Sequence, residues 1–155
     1  MEDSDQVLEL LGEAKAIAQR YYALTKKPLG ITGEVAEYEA ARILGVKLAP
    51  ARQAGYDATE IVGGRTRTLQ IKGRCLPPGC SPSQRLGSIQ PGKEWDSVLM
   101  VLLDATFSAT EIWEADRAAV IAALAAPGSK ARNERGALGV AKFKSIGRLR
   151  WPLPA

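Results

Sequence analysis

The sequence predicts an α+β fold, mixed α/β in layout, with one central mixed sheet flanked by helices. Three observations predict it. Helical apolar periodicity opens the chain twice in succession. A glycine pair, Gly63-Gly64, joins two runs that alternate like strands. A continuous apolar run at 98–103, VLMVLL, suits a strand covered on both faces. Helices grouped apart from consecutive strands favour a sheet with helices packed against it.

In order, residues 5–24 read as an amphipathic helix packing on the core. Val7, Leu8, Leu11, Ala14, Ile17 and Ala18 form one stripe, and Pro28 and Gly30 mark the stop. A second helix begins at Thr32, its expected N-cap, and ends at Gly45. At about 100° per residue, Ala36, Ala40, Ile43 and Leu44 form its apolar arc, and Glu39 and Arg42 point to solvent. Glu37 falls inside the apolar edge and Glu34 at its boundary. Strands are expected at 53–62 and 66–74, then a Pro- and Gly-rich loop over 75–93, long enough to cover a substrate. The buried strand at 98–103 and a further one at 110–113 follow. Asp116 caps a third helix that closes at Pro127-Gly128, and the basic segment 129–155 packs as strand or coil through Phe143, Ile146, Leu149 and Trp151.

With 155 residues, 46% hydrophobic and 25% charged, the chain suits a single folded domain over 1–155 and neither disorder nor a bilayer span. The acidic start, MEDSDQ, lacks the features of a signal peptide, so a cytoplasmic location without membrane partners is expected. The net charge of +4 is unevenly spread. Residues 1–20 carry five acids and two bases. From Gly63 to Lys93 there are Arg65, Arg67, Lys72, Arg74, Arg85 and Lys93 and no acid. From Lys130 to Arg150 seven bases face only Glu134. Such a split suits a polyanion on one side, with Arg65, Arg67, Arg74, Lys93, Lys142 and Lys144 as candidate phosphate contacts. The chain has no histidine, which removes Ser-His and Cys-His catalysis. Cys75 and Cys80 alone cannot close a structural zinc site and read as ordinary thiols.

The stretch QAGYDATEIVGGRTRTLQIKGR, residues 53–74, holds the chemistry. Alternation puts Thr68, Gln70 and Lys72 on one face of its second strand and Leu69 and Ile71 on the other. Asp57 lies on the neighbouring strand. Mg²⁺ or Mn²⁺ needs oxygen ligands and keeps several waters, so one or two carboxylates suffice. Asp57, the Gln70 amide oxygen, the Ile71 carbonyl and either Glu37 or Glu34 can supply such a set, and Lys72 can hold a water or a phosphate.

These residues resemble the PD-(D/E)XK nuclease superfamily, the restriction-endonuclease-like fold. The likeness rests on a glutamate in an early helix (GEVAEYEAARILG, with Glu37 in the better register and Glu34 beside it), Asp57 on one strand of a hairpin, QIK at 70–72 on the next, and the buried strand after it. Two positions depart from the pattern. Tyr56 stands where a proline is usual, and Gln70 where the family more often has an acid, although some members, the Mrr-like restriction enzymes among them, also carry Gln there. The resemblance implies a Mg²⁺-dependent DNA endonuclease acting through an activated water, with Asp57, Gln70, Lys72 and Glu37 or Glu34 as its site. Double-strand cleavage would call for a homodimer, and a partner subunit could supply specificity. The alternative is an inactive module of the same fold that binds nucleic acid or assembles with a partner.

Overall fold

The computed structural model describes residues 2–50, 55–80, 84–126 and 137–154. Its elements are α1 (Glu2–Thr25), α2 (Thr32–Leu44), β1 (Lys47–Leu48), β2 (Ala58–Val62), β3 (Arg65–Cys75), β4 (Ser97–Leu103), β5 (Ala109–Asp116), α3 (Arg117–Ala125), α4 (Val140–Ile146) and β6 (Arg148–Trp151). This is an α+β fold with a six-stranded sheet in the order β1-β2-β3-β4-β5-β6. Neighbours are antiparallel except β3 and β4, which run parallel. The connection between those two is the long loop after Cys75.

Every residue of β4 is buried, as its unbroken apolar run requires. Alternation splits the strand between two cores. Leu99, Val101 and Leu103 join Val35, Ala36 and Ala40 of α2, with Leu69 and Ile71 of β3. Val98, Met100 and Leu102 join Val120 and Leu124 of α3 and Phe143 of α4, with Leu86, Ile89 and Trp95 from the long loop. Because Gln70 pairs with Val98 and Lys72 with Met100, both side chains lie on the α3–α4 face, opposite α2.

Local signals mark several boundaries. Gly45 ends α2 at φ 74°, its N–H donating to the Ala41 carbonyl. Gly63 and Gly64, both at positive φ, make the β2–β3 hairpin. Asp116 caps α3 by accepting from the Ala119 N–H at 2.8 Å. Gly73 does something different. A Cβ built there would stand 2.5 Å from the Ala36 Cβ, so α2 lies on β3 at a distance only glycine permits.

Other expectations are corrected. Ile31, not Thr32, is the N-cap of α2, and no side chain caps it; the Thr32 hydroxyl sits 3.9 Å from the Cys75 Sγ. Glu39 is fully buried rather than solvent-facing, because α1 covers that side of α2. The apolar stripe on α1 divides: Ala18 is buried, while Val7 and Ile17 are exposed. The strand at 110–113 runs over 109–116, and the last segment holds both a helix and a strand. The far end of the long loop is fastened to α3. Arg117 lies over the Trp95 ring at 4.6 Å and donates to the carbonyls of Pro91, Lys93 and Trp95. The strand expected over 53–62 starts only at Ala58, so Asp57 stands just before β2 and not on it; positions 53–54 and the expected helix stop at Pro127-Gly128 lie outside the described residues.

Candidate functional site

Strand β2 pairs with β3 from Val62↔Arg65 to Ala58↔Leu69 and then departs. The last backbone bond of the pair is the Asp57 N–H to the Leu69 carbonyl, at 2.8 Å. Beyond it β3 continues to Cys75 with β4 on one side only. The next group on the vacated edge, the Ile71 N–H, is taken instead by Asp57 Oδ2 at 2.8 Å. A strand residue presents its N–H and C=O to the same side, so the Ile71 carbonyl projects from this edge too. The fork is therefore held by Asp57, whose main chain ends one ladder and whose carboxylate stands in for the next rung.

Gln70 is fastened to the same segment. Its Nε2 donates to the Gly55 carbonyl at 3.3 Å, and it is only 8% exposed. Its Oε1 is buried with no hydrogen-bond partner among the described residues. A buried amide oxygen left unpaired costs about 1–3 kcal/mol unless a cation or donor meets it.

Above the fork, α2 brings Glu37, half-buried, with Glu34 exposed in the first turn. Burial raises the Glu37 carboxyl from 4.5 to about 7. The negative charges of Asp57 and Glu34 add to the rise, and Lys72 opposes it. These four groups therefore share one electrostatic neighbourhood, although Lys72 leaves β3 on the face opposite α2. Among the described residues, the charges that act on Glu37 are two carboxylates and one ammonium. Among the described residues no three Asp, Glu or Cys side chains are grouped closely enough to form a metal cage by themselves.

The candidate phosphate contacts separate into two sets. Arg65, Lys93 and Lys142 are exposed and make no ion pair among the described residues. Arg67 is engaged, donating to Glu114 at 2.8 Å and Glu60 at 3.2 Å. Arg74 donates to Gln84. Lys144 pairs with Glu111 at 3.0 Å and lies 5.5 Å from the Trp113 ring centre.

No protein-family model and no curated protein matches this chain.

Three charged groupings escaped the sequence reading. Glu39 accepts from Lys15 of α1, Arg42 of α2 and the Ala109 N–H of β5. Burial would raise its carboxyl, but these bonds outweigh burial and hold it below the ordinary value. Glu60 and Glu114 share Arg67 and Arg150 across β2, β3, β5 and β6. Arg117 clamps the loop. Nothing local in sequence signals such long-range partners; only Glu39 and Arg42, three residues apart on one helix, have a helical signature.

Proposed function

We propose that this protein is a divalent-metal-dependent DNA endonuclease of the restriction-endonuclease-like fold. The observation that carries this reading is the fork at Asp57. There the Asp57 carboxylate takes the Ile71 N–H, and the Gln70 amide oxygen is buried without a partner among the described residues, with Glu37, raised to about 7, and Lys72 within electrostatic reach. The order of α2, the β2–β3 hairpin and buried β4 beside β3 is the one the family resemblance implies.

The residues present fit Mg²⁺ or Mn²⁺. The unpaired Gln70 Oε1 and the surplus of acid are what a cation would relieve, and a hard divalent ion needs only one or two carboxylates. Asp57 and Glu37 or Glu34 would hold it, with Gln70 Oε1 and the Ile71 carbonyl as neutral oxygens. When bound, such an ion lowers the pKa of water and stabilises charge on a phosphoryl oxygen. Lys72 would hold the attacking water or the phosphate and offset the negative charge that develops. Glu37, at about 7, exchanges its carboxyl proton near neutrality and can release it when a cation arrives. Arg65, Lys93 and Lys142 would contact backbone phosphates.

The test is nicking of supercoiled plasmid in Mg²⁺ or Mn²⁺. Asp57→Asn and Lys72→Ala are each expected to abolish it, and cleavage that survives both removes the site assignment. One observation favours a second reading, an inactive module that binds nucleic acid or assembles with a partner: Gln70 brings no charge to the metal. Calorimetry separates the two, because that module would take up no Mg²⁺ yet keep salt-sensitive DNA binding.

A further inference from the structure

Helix α1 has two apolar faces, and only one is covered. The inner face carries Ala18, buried against the sheet core, and Gly12, whose Cβ position lies 3.2 Å from the Tyr38 hydroxyl. Lys15 on this side reaches Glu39 at 3.1 Å. The outer face carries Val7, Leu10, Ala14, Ile17, Tyr21 and Leu24. Of these, all but Ala14 are large and between 39% and 87% exposed. Their spacing is three, four, three, four, three. That is an unbroken a/d heptad repeat, the pattern of a helix that packs along a second helix with period 3.5. A helix that only covered its own core would need no second stripe.

Charge along α1 selects the partner and its direction. The first half is acidic, with Asp3, Asp5, Glu9 and Glu13 exposed; Arg20 is exposed near the other end, and Lys26 and Lys27 follow it. Parallel pairing of two copies would set acid beside acid. Antiparallel pairing sets the acidic half of each copy beside the basic end of the other. In that register Val7 meets Leu24, Leu10 meets Tyr21, and Ala14 meets Ile17, each twice about a two-fold axis. The small Ala14 then admits the larger Ile17. The flanking g positions fall together as well, placing Glu13 of one copy beside Arg20 of the other, in both directions. Neither residue has an ion-pair partner among the described residues.

We infer that α1 is a dimerisation helix, pairing antiparallel through its outer seam with the same seam of a second copy of this chain. The contact is isologous and closes on itself, so it stops at two. It does not depend on the nuclease reading, since it uses no residue of the fork.

Sedimentation equilibrium and light scattering on the full chain test this. The expected result is a concentration-dependent dimer. Leu10→Asp and Ile17→Asp are expected to give monomers with unchanged helical circular dichroism, because both side chains are already exposed. Glu13→Arg or Arg20→Glu alone is expected to weaken the dimer about tenfold, and the double exchange to restore it. A wild-type chain that stays monomeric at its highest soluble concentration overturns the proposal and leaves the seam to a helix of another protein. A dimer indifferent to the seam substitutions overturns it too, as does a folded double exchange that fails to recover.

Discussion

Two ionic clusters stand along the β2–β3 pair, one at its middle rung and one at the fork beyond its open end, and they are built on opposite principles. At the middle rung, Glu60 and Glu114 face Arg67 and Arg150, with bonds of 2.6 to 3.2 Å and Arg148 at 3.5 Å. Arg150 holds the Glu60 carboxyl below its ordinary value. For Glu114, burial pushes upward and the two arginines more than reverse it. At the fork, among the described residues, burial and then Asp57 and Glu34 push the half-buried Glu37 up and Lys72 opposes them, and Glu37 rises to about 7. A cluster in which each carboxylate meets at least two arginines ties its strands together and serves the fold. An unmatched one keeps a standing demand for a cation, which the protein tolerates only where something else will meet it.

The sharpest way to break this contrast is to remove one member of each cluster. Asp57→Asn is expected to cut plasmid nicking about 10²-fold or more while leaving the thermal midpoint nearly unchanged. Arg150→Ala is expected to do the reverse: a loss of about 3 kcal/mol in urea unfolding, with the nicking rate per folded molecule kept. If both variants lose activity and stability alike, the division between the clusters fails.

The two clusters also predict opposite responses to pH. Glu37 has a folded value near 7 against 4.5 unfolded, so the folded protein grips that proton more tightly. The stability this contributes is whole below about pH 4.5 and is lost as pH rises through about 7. Glu60 and Glu114 are depressed, so they stabilise above about pH 4.5 and cease to as pH falls through their folded values. Glu37→Gln is therefore expected to stabilise the protein by about 1–2 kcal/mol at pH 8, allowing for solvent screening, and by nothing near pH 4. Chemical denaturation at the two pH values measures it. Mg²⁺ is expected to raise the thermal midpoint by about 2–4 °C at pH 8, less at pH 5, and not at all in Asp57→Asn.

What could be read from the sequence follows from what is local. Gly45, the Gly63-Gly64 turn, Asp116 and the VLMVLL strand each carry their reason within a few residues, and each stands where expected. The site residues were named from strand alternation and one helical wheel, and Asp57, Ile71 and Gln70 do lie at one fork. The wheel failed at Glu39, since it knows one helix at a time and α1 turned a polar side into an interior. The uneven charge pattern likewise offers Arg67 to a phosphate, because its partners Glu60 and Glu114 come from other strands. Helix α4 was hidden because Val140–Ile146 is short and its bases mask the apolar spacing.

Gly73 gives the fork an experimental gauge. The helix bearing Glu37 rests on β3 where a hydrogen stands in place of a methyl group, so the gap between the acid and the strand is set by one atom. Gly73→Ala is expected to lift α2 and weaken the fold by about 1–3 kcal/mol. Ala, Ser and Val there form a set of spacers of graded thickness. Read against Mg²⁺ affinity, such a series turns the separation of two ligands into a dial, with the rest of the chemistry left in place.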